Sequence, residues 1–246
     1  MGPRQVGKST LAGAMIPEDA NVLEINGDNT DVQTMFVNVD DTKMKVLIGN
    51  KNFLLVDEAQ KIGNVGNMLK IVAEKSDDVK VIVTGSSAFK LAEAVNESLT
   101  GRKREFRLYP LSFKEMADET SALEESRLID HRLIYGYYPE VVTSPGDEKE
   151  VIKELIDSYL YKDVLEENDI AKQDKLVRLV QALAFQIGST VSANELAGLV
   201  GVDAKTVERY IDILEKCYII FTLPSYAKNQ RNELKFARKI YFWDMG

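Results

Sequence analysis

The sequence has few of the residues on which disulfide, metal and redox sites depend. It contains one cysteine, Cys217, and one histidine, His131, among 246 residues. A single cysteine cannot form a disulfide within the chain, which is typical of proteins from a reducing cytosol. The histidine has no second histidine or cysteine near it, so we expect no metal site there. We predict a buried structural thiol at Cys217 and a solvated helical position for His131.

Long apolar runs and an excess of basic residues are missing as well. No run of about 18 uncharged apolar residues occurs, so we expect no membrane partner and no membrane-spanning helix. The chain does not start with a secretory signal, and we expect a cytoplasmic protein. The net charge of −8 divides into −6 for residues 1–149 and −2 for residues 150–246. Neither half therefore has the basic excess of a dedicated nucleic-acid-binding protein.

What the sequence does contain is a phosphate-binding loop at its start. Residues 2–10 read GPRQVGKST, which fits the P-loop pattern G-x-x-x-x-G-K-[ST]. Backbone N–H groups and a helix start cradle an anion in such a loop, and glycines allow the close approach. We predict that Lys8 reaches the β- and γ-phosphates of ATP and that the Ser9 hydroxyl ligates Mg²⁺. The predicted nucleotide-binding residues are Gly2, Pro3, Gln5, Val6, Gly7, Lys8, Ser9 and Thr10, with Thr84 from a later strand.

Two acidic residues, Asp57 and Glu58, follow the apolar run Phe53–Asp57. A magnesium ion that bridges two phosphates needs a carboxylate, and we assign this role to Asp57, directly or through water. Hydrolysis needs a second carboxylate that orients and deprotonates the attacking water, and we assign it to Glu58. An apolar strand that ends in Asp-Glu is a weak motif alone, since it also describes a strand that meets a solvated loop. Its position after a complete P-loop makes the catalytic interpretation the stronger one.

Two further features leave alternatives open. Thr84, Ser86 and Ser87 end the next apolar run, where a hydroxyl could sense the γ-phosphate or a serine could cap the following helix. Arg102 is the best candidate for an arginine finger, because a guanidinium stabilises charge on the transferred phosphoryl group. It could instead belong to the solvated face of an edge strand, together with Lys103 and Arg104. A finger supplied in trans would imply a homo-oligomer.

The alternation of strands and helices predicts an α/β domain with a parallel sheet. Ligands bind at the carboxyl ends of the strands in such sheets, where the P-loop, Asp57 and Thr84 would lie. A turn signal at 144–147 suggests two domains, 1–145 and 146–246, the second mostly helical. Residues 192–214 have a helix-turn-helix pattern, and the Ser-x-x-Glu pattern of Ser112 and Glu115 predicts a capping box at the start of a helix. The predicted strands are 21–26, 53–57, 79–84 and 102–108 in the first domain, then 218–223 and 239–243 as wings in the second; helices are predicted at 8–16, 31–37, 41–48, 64–75, 89–91, 148–166, 172–187, 193–199 and 204–216.

In this order, the motifs resemble those of prokaryotic AAA-type ATPases that carry a C-terminal winged-helix-like domain of unknown function. The resemblance rests on the P-loop and on Val56–Gln60, Val83–Ser87, Leu99–Arg102, Phe106–Glu115, Gly136–Val142, Tyr161–Val164 and Lys239–Asp244. It implies ATP binding and Mg²⁺-dependent hydrolysis by Lys8, Ser9, Asp57 and Glu58. It does not imply a cellular task.

Relatives of that group have a strand before the P-loop and further sequence after the position of Asp244. We therefore expect an ATPase domain that lacks its first strand and a second domain that is incomplete at its C-terminus. Three hypotheses follow. The first is an ATPase coupled to movement of the winged-helix domain, the second is an ATP-switched DNA-binding module, and the third is an inactive fragment.

Overall fold

The computed structural model describes residues 1–76, 78–86, 99, 101–158, 164, 173–224 and 238–246. They divide into two units, Met1–Leu108 and Tyr109–Gly246. The domain boundary proposed near residue 145 falls within the second unit and stays a prediction. Ser87, the helix predicted at 89–91 and the segment 161–163 lie outside the described residues.

Three parallel strands form the sheet of the first unit. They are β1 (Val22–Asn26), β2 (Phe53–Asp57) and β3 (Lys80–Val83), in the order β1-β2-β3. The register pairs Asn26 with Asp57 and Val56 with Val83. Phe53, Leu54 and Val56 are buried, as expected for a central strand that is covered on both faces. The α/β prediction with a parallel sheet is confirmed, and the candidate site residues lie at the carboxyl ends of its strands.

Among the described residues of this unit, four α-helices accompany the sheet. Their bounds are α1 (Lys8–Ala14), α2 (Thr30–Phe36), α3 (Asp41–Ile48) and α4 (Val65–Lys75). The predicted apolar face of α4 is buried against the core, because residues three and four apart share one side of a helix. Met44 from α3 and Met68 from α4 are fully buried in the same cluster as Leu54 from β2.

One strand prediction in this unit is confirmed and one is wrong. The run 79–84 forms the strand β3, but it is less buried than its apolar residues indicate: Val81 is 38 % exposed, and β3 pairs with β2 on one side only in the described sheet. Residues 102–108 were expected to be a strand, but neither described sheet includes them. Two backbone hydrogen bonds join this segment to Met1: Met1 N donates to Phe106 O, and Met1 O accepts from Leu108 N.

Helices dominate the second unit. They are α5 (Phe113–Glu119), α6 (Ala122–Arg127), α7 (Ile129–Tyr135), α8 (Pro139–Thr143), α9 (Glu148–Ile156), α10 (Gln173–Ala184), α11 (Ala193–Val200) and α12 (Ala204–Lys216). The predicted capping box opens α5, with Ser112 and Glu115 bonded reciprocally. The sequence patterns did not predict α6, α7 or α8. The predictions for α11 and α12 are confirmed to within one residue.

An antiparallel sheet completes the second unit, with β4 (Thr190–Val191), β5 (Ile220–Leu223) and β6 (Arg238–Phe242) in the order β4-β6-β5. β4 has two residues and was not predicted, because alternation cannot be read over so short a segment. Cys217 is buried as expected. His131 lies on a helix as predicted, with its side chain 38 % exposed and Nε2 3.3 Å from Glu148 Oε1, so its position is partly and not fully solvated.

Membrane-spanning helices and metal-binding clusters were searched for in the described part of the chain. Within the described ranges, no helix is long and apolar enough to cross a membrane. Among the same residues, no group of three histidine, cysteine or acidic side chains is arranged to hold a metal ion.

Candidate nucleotide-binding site

The P-loop keeps its shape through backbone positions that tolerate little change. Gly7 precedes α1 with φ +87°, a left-handed conformation that favours glycine. At Gly2, a Cβ atom would lie 1.9 Å from the Leu108 carbonyl oxygen, so no larger residue fits there without a backbone shift. Val6 is buried and anchors the loop between these glycines. The glycines of the motif are thus required by the fold of this chain, whatever ligand the loop binds.

Lys8 lies against the loop that carries it. Its side chain is 8 % exposed, and Nζ donates a hydrogen bond of 2.6 Å to the Pro3 carbonyl oxygen. A buried ammonium group needs such a partner, because an unpaired charge away from water is strongly disfavoured. The amine is therefore held at the loop, as its predicted role requires.

Three of the predicted site residues come together at Asp57. The Ser9 hydroxyl, at the start of α1, donates a 2.8 Å hydrogen bond to Asp57 Oδ2. The Thr84 hydroxyl, just after β3, donates to the other carboxylate oxygen, Oδ1. Thr84 is 5 % exposed. The structure thus joins the P-loop, the end of β2 and the end of β3 around one carboxylate.

Backbone contacts beyond the strand ends fix this arrangement. Thr84 N donates to Val56 O at 2.8 Å, and Ala59 N donates to Thr84 O at 3.0 Å. On the other side, Gly27 N donates to Asp57 O at 2.8 Å. A Cβ atom on Gly27 would lie 2.2 Å from the Glu58 carbonyl oxygen, so the backbone after β1 touches the backbone that carries the candidate base.

Glu58 has an unusual backbone and two side-chain partners. Its φ of 47° and ψ of 44° are left-handed, which costs on the order of 1–3 kcal/mol for a non-glycine residue and is frequent at functional sites. Its Oε2 atom accepts hydrogen bonds from Gln60 Nε2 at 2.5 Å and from Ser86 Oγ at 3.1 Å. Sequence reasoning assigned no role to Gln60; the available signal was its position two residues after Glu58.

Outside this cluster lie three other predicted site residues, Gln5, Thr10 and Arg102. Gln5 and Thr10 are exposed, and Gln5 is left-handed with φ 58°. The Arg102 side chain is 59 % exposed, and its Nη1 lies 3.9 Å from Glu74 Oε1. Among the described residues, Arg102 makes no recorded hydrogen bond or ion pair with Asp57 or Glu58. The structure does not bring the candidate finger to the carboxylates.

Comparison with protein families separates the chain into two parts. Residues 1–117 match the family model of an AAA domain. Residues 126–246 match the model of a domain of unknown function, DUF8612. The first part of the chain is therefore similar to an AAA-type, P-loop ATPase-like domain, and the clustered residues around Asp57 lie within the matched range.

The chain is also similar to uncharacterized proteins of bacteria and archaea. A Haemophilus influenzae protein is 26 % identical over 209 residues, which cover 80 % of this chain and 51 % of the relative. A Methanocaldococcus jannaschii protein is 24 % identical over 203 residues, 75 % of this chain and 46 % of the relative. A Mycobacterium tuberculosis protein is 24 % identical over 248 residues, covering all of this chain and 53 % of the relative. The chain spans about half the length of these relatives.

Proposed function

We propose that this protein binds ATP with Mg²⁺ and hydrolyses it to ADP and phosphate. One observation carries the proposal: the Ser9 hydroxyl lies 2.8 Å from Asp57 Oδ2, although the two residues are 48 positions apart. The P-loop motif predicts Ser9 as a magnesium ligand, and the Asp-Glu pair, read in the context of that motif, predicts Asp57. A chance glycine-rich turn would give no reason for its serine to face the carboxylate of a separate strand.

The oxygen atoms of Ser9 and Asp57 fit a magnesium ion. Mg²⁺ prefers hard oxygen ligands and is commonly held by one or two protein side chains together with substrate phosphates. When bound, the ion would supply positive charge that offsets the charge of the phosphates. Lys8, held at the loop by Pro3, would add a second positive charge at the same place.

Glu58 is the proposed general base. Its carboxylate would take a proton from a water molecule as the water oxygen bonds to the γ-phosphorus. The bond between that phosphorus and the β,γ-bridging oxygen breaks, and ADP leaves with the electron pair. The left-handed backbone of Glu58 supports this role, since it turns the side chain away from the direction that a continued strand would give it.

The proposal also assigns a function to the second unit of the chain. Helices α11 and α12 lie between β4 and β5 of the antiparallel sheet, an order that fits a winged-helix-like domain. We propose that nucleotide state controls the movement of this domain. The Arg102 side chain is exposed, as an arginine finger supplied to a neighbouring copy must be. A homo-oligomer is therefore included in the proposal.

DNA binding is the weaker alternative, because the charges of α12 do not favour it. Lys216 pairs with Asp212 on the same helix at 2.8 Å, and Arg238 on β6 pairs with Glu208. Phosphate contacts need cations that are not already matched by carboxylates. No observation on the described residues favours the DNA-binding hypothesis over the ATPase.

The experiment measures magnesium-dependent ATP binding and phosphate release for the wild type, Lys8→Ala and Asp57→Asn. The matched control is Asp28→Asn, the same substitution at a half-exposed carboxylate that pairs with Lys61. We expect both site variants to lose phosphate release and the control to keep it. Equal release by the wild type and both site variants would refute the proposal.

A further inference from the structure

The carboxylate of Glu58 is held on one side only. Both of its recorded hydrogen bonds, from Gln60 Nε2 at 2.5 Å and from Ser86 Oγ at 3.1 Å, end on the same oxygen, Oε2. The two donors also bond to each other, with Gln60 Nε2 2.9 Å from Ser86 Oγ. No recorded hydrogen bond from a described residue ends on the second oxygen, Oε1. Because Oε2 is fixed by two hydrogen bonds, the orientation of the carboxylate is set, and Oε1 stays available to accept a proton.

The backbone makes this contact possible. The left-handed Glu58 is followed by a single 3₁₀ turn, Ala59–Lys61, which brings the Gln60 side chain back towards Glu58. Ser86 arrives from the loop after β3 and is 5 % exposed. A hydrogen bond to a charged acceptor is worth about 1.5–3 kcal/mol, more than one between neutral groups. The two donors are therefore strong enough to select one orientation of the carboxylate.

The other end of the Gln60 amide supplies a second observation. Its carbonyl oxygen, Oε1, is buried and has no hydrogen-bond partner among the described residues. A buried acceptor that stays unsatisfied costs about 1–3 kcal/mol. It lies on the same planar amide whose nitrogen donates to Glu58, so an unsatisfied acceptor is two covalent bonds away from the atom that contacts the candidate base. A water molecule admitted to this acceptor would donate one hydrogen to Gln60 Oε1 and the other to the second oxygen of Glu58, Oε1.

We propose that Gln60 is a catalytic residue of the hydrolytic site, with its amide nitrogen orienting Glu58 and its carbonyl oxygen orienting the attacking water. This inference rests on the proposed ATPase function. A water that donates to both acceptors has its oxygen lone pair directed away from them, towards the γ-phosphorus. Glu58 then takes one proton, and the second hydrogen stays on the oxygen that becomes part of phosphate. Ser86 is a positioning residue in this scheme, since it acts through Glu58.

The test compares Gln60→Met, Gln60→Glu and Ser86→Ala with the wild type. Methionine keeps the length of glutamine but neither donates nor accepts strongly, and glutamate cannot donate and repels Glu58. Gln181→Met is the matched control, because Gln181 is exposed on α10 in the second unit. Each variant is measured for ATP dissociation constant, single-turnover hydrolysis rate and thermal unfolding midpoint. Gln60→Met is measured again in a Glu58→Gln background.

We expect both Gln60 variants to hydrolyse ATP about tenfold or more slowly, a smaller loss than the roughly 10²–10⁴-fold that general-base catalysis contributes, because Glu58 itself remains. Their ATP dissociation constants should stay within about threefold of the wild type, because the amide acts on the reacting water and not on the bound phosphates. Ser86→Ala should reduce the rate of ATP hydrolysis by a smaller factor than the Gln60 variants do. In the Glu58→Gln background, Gln60→Met should cost less than in the wild type, because the base that it orients is gone.

The outcomes separate the inference from the proposed function. If the wild type hydrolyses ATP and Gln60→Met matches it, the inference alone is wrong. A Gln60 variant that is faster than the wild type would also overturn it, since the amide would then restrain Glu58. Equal losses of ATP affinity and rate, with a lower unfolding midpoint, would mean a structural role only. A wild type that binds ATP and releases no phosphate above the Glu58→Gln rate would refute both.

Discussion

Gly27 offers the sharpest structural prediction, because a single methyl group would collide with the backbone of the candidate base. A Cβ atom on Gly27 would lie 2.2 Å from Glu58 O, 3.0 Å from Glu58 C and 3.3 Å from Asp57 O. Ordinary contact begins near 3.4 Å, so Gly27→Ala requires about 1 Å of backbone movement between β1 and β2. Overpacking of this kind costs about 1–3 kcal/mol. We expect the upper part of that range, since no flexible side chain can move aside.

The assay is hydrogen exchange of the β2 peptide together with ATP hydrolysis. Fluorescence would not report the change, because the only tryptophan, Trp243, lies in the second unit. A loss of 1–3 kcal/mol corresponds to exchange about 5–150-fold faster, if exchange follows opening of this strand. Hydrolysis should fall as well, because the displaced carbonyl belongs to Glu58 and a shift of about 1 Å can cost on the order of 10²-fold in rate.

The matched control is Gly63→Ala. Gly63 is exposed, and a Cβ atom there would meet no other atom within 4 Å. We expect exchange and hydrolysis of this variant to equal those of the wild type. If Gly27→Ala behaves in the same way as Gly63→Ala, the close packing of β1 against Glu58 is refuted.

Two further predictions concern stability of the second unit. The backbone N–H and hydroxyl of Ser112 lower the pKa of Glu115 below its ordinary 4.5; Ser112→Ala should cost about 0.5–2 kcal/mol at pH 7. A lowered pKa stabilises the fold only while the carboxylate is charged. The cost of Ser112→Ala in unfolding free energy should therefore shrink as the pH falls through and below 4.5. A cost that does not change with pH would contradict this prediction. Glu125 is 1 % exposed and bonds to Arg132 Nε at 3.0 Å, so Glu125→Leu should cost about 3–5 kcal/mol in urea unfolding followed by Trp243 fluorescence. Adding Arg132→Leu should recover part of that loss, and a single-variant cost below about 1 kcal/mol would contradict the prediction.

The sequence predicted the parts of the site that depend on local pattern. The P-loop motif fixed Ser9, and the apolar run before Asp57 fixed the end of a buried strand. Parallel strands bring their carboxyl ends to one edge of a sheet, so the meeting of Ser9, Asp57 and Thr84 could be expected from motif order and topology together. Helical spacing likewise predicted α4, and the Ser-x-x-Glu pattern predicted the start of α5.

The rest depends on contacts that no local pattern encodes. The approach of Gln60 to Glu58 requires a left-handed glutamate, which the sequence does not signal because this conformation is unfavourable for that residue type. Val81 belongs to an apolar run but is 38 % exposed, because burial of a strand depends on its neighbours. The role of Arg102 stays a prediction: its residue type suits an arginine finger, but within the chain its side chain lies near Glu74 and not at the carboxylates of the site.

The most direct test of the central claim is a comparison of the wild type with Glu58→Gln. The substitution keeps the shape of the side chain and removes the basic carboxylate. Both proteins are titrated with ATP in the presence of magnesium, and phosphate release is then followed at saturating ATP. We predict similar dissociation constants and a rate at least about 10²-fold lower for the variant, as loss of a general base requires. Equal rates, or hydrolysis by neither protein when both bind ATP, would contradict the assignment of Glu58 as the catalytic base of an ATPase.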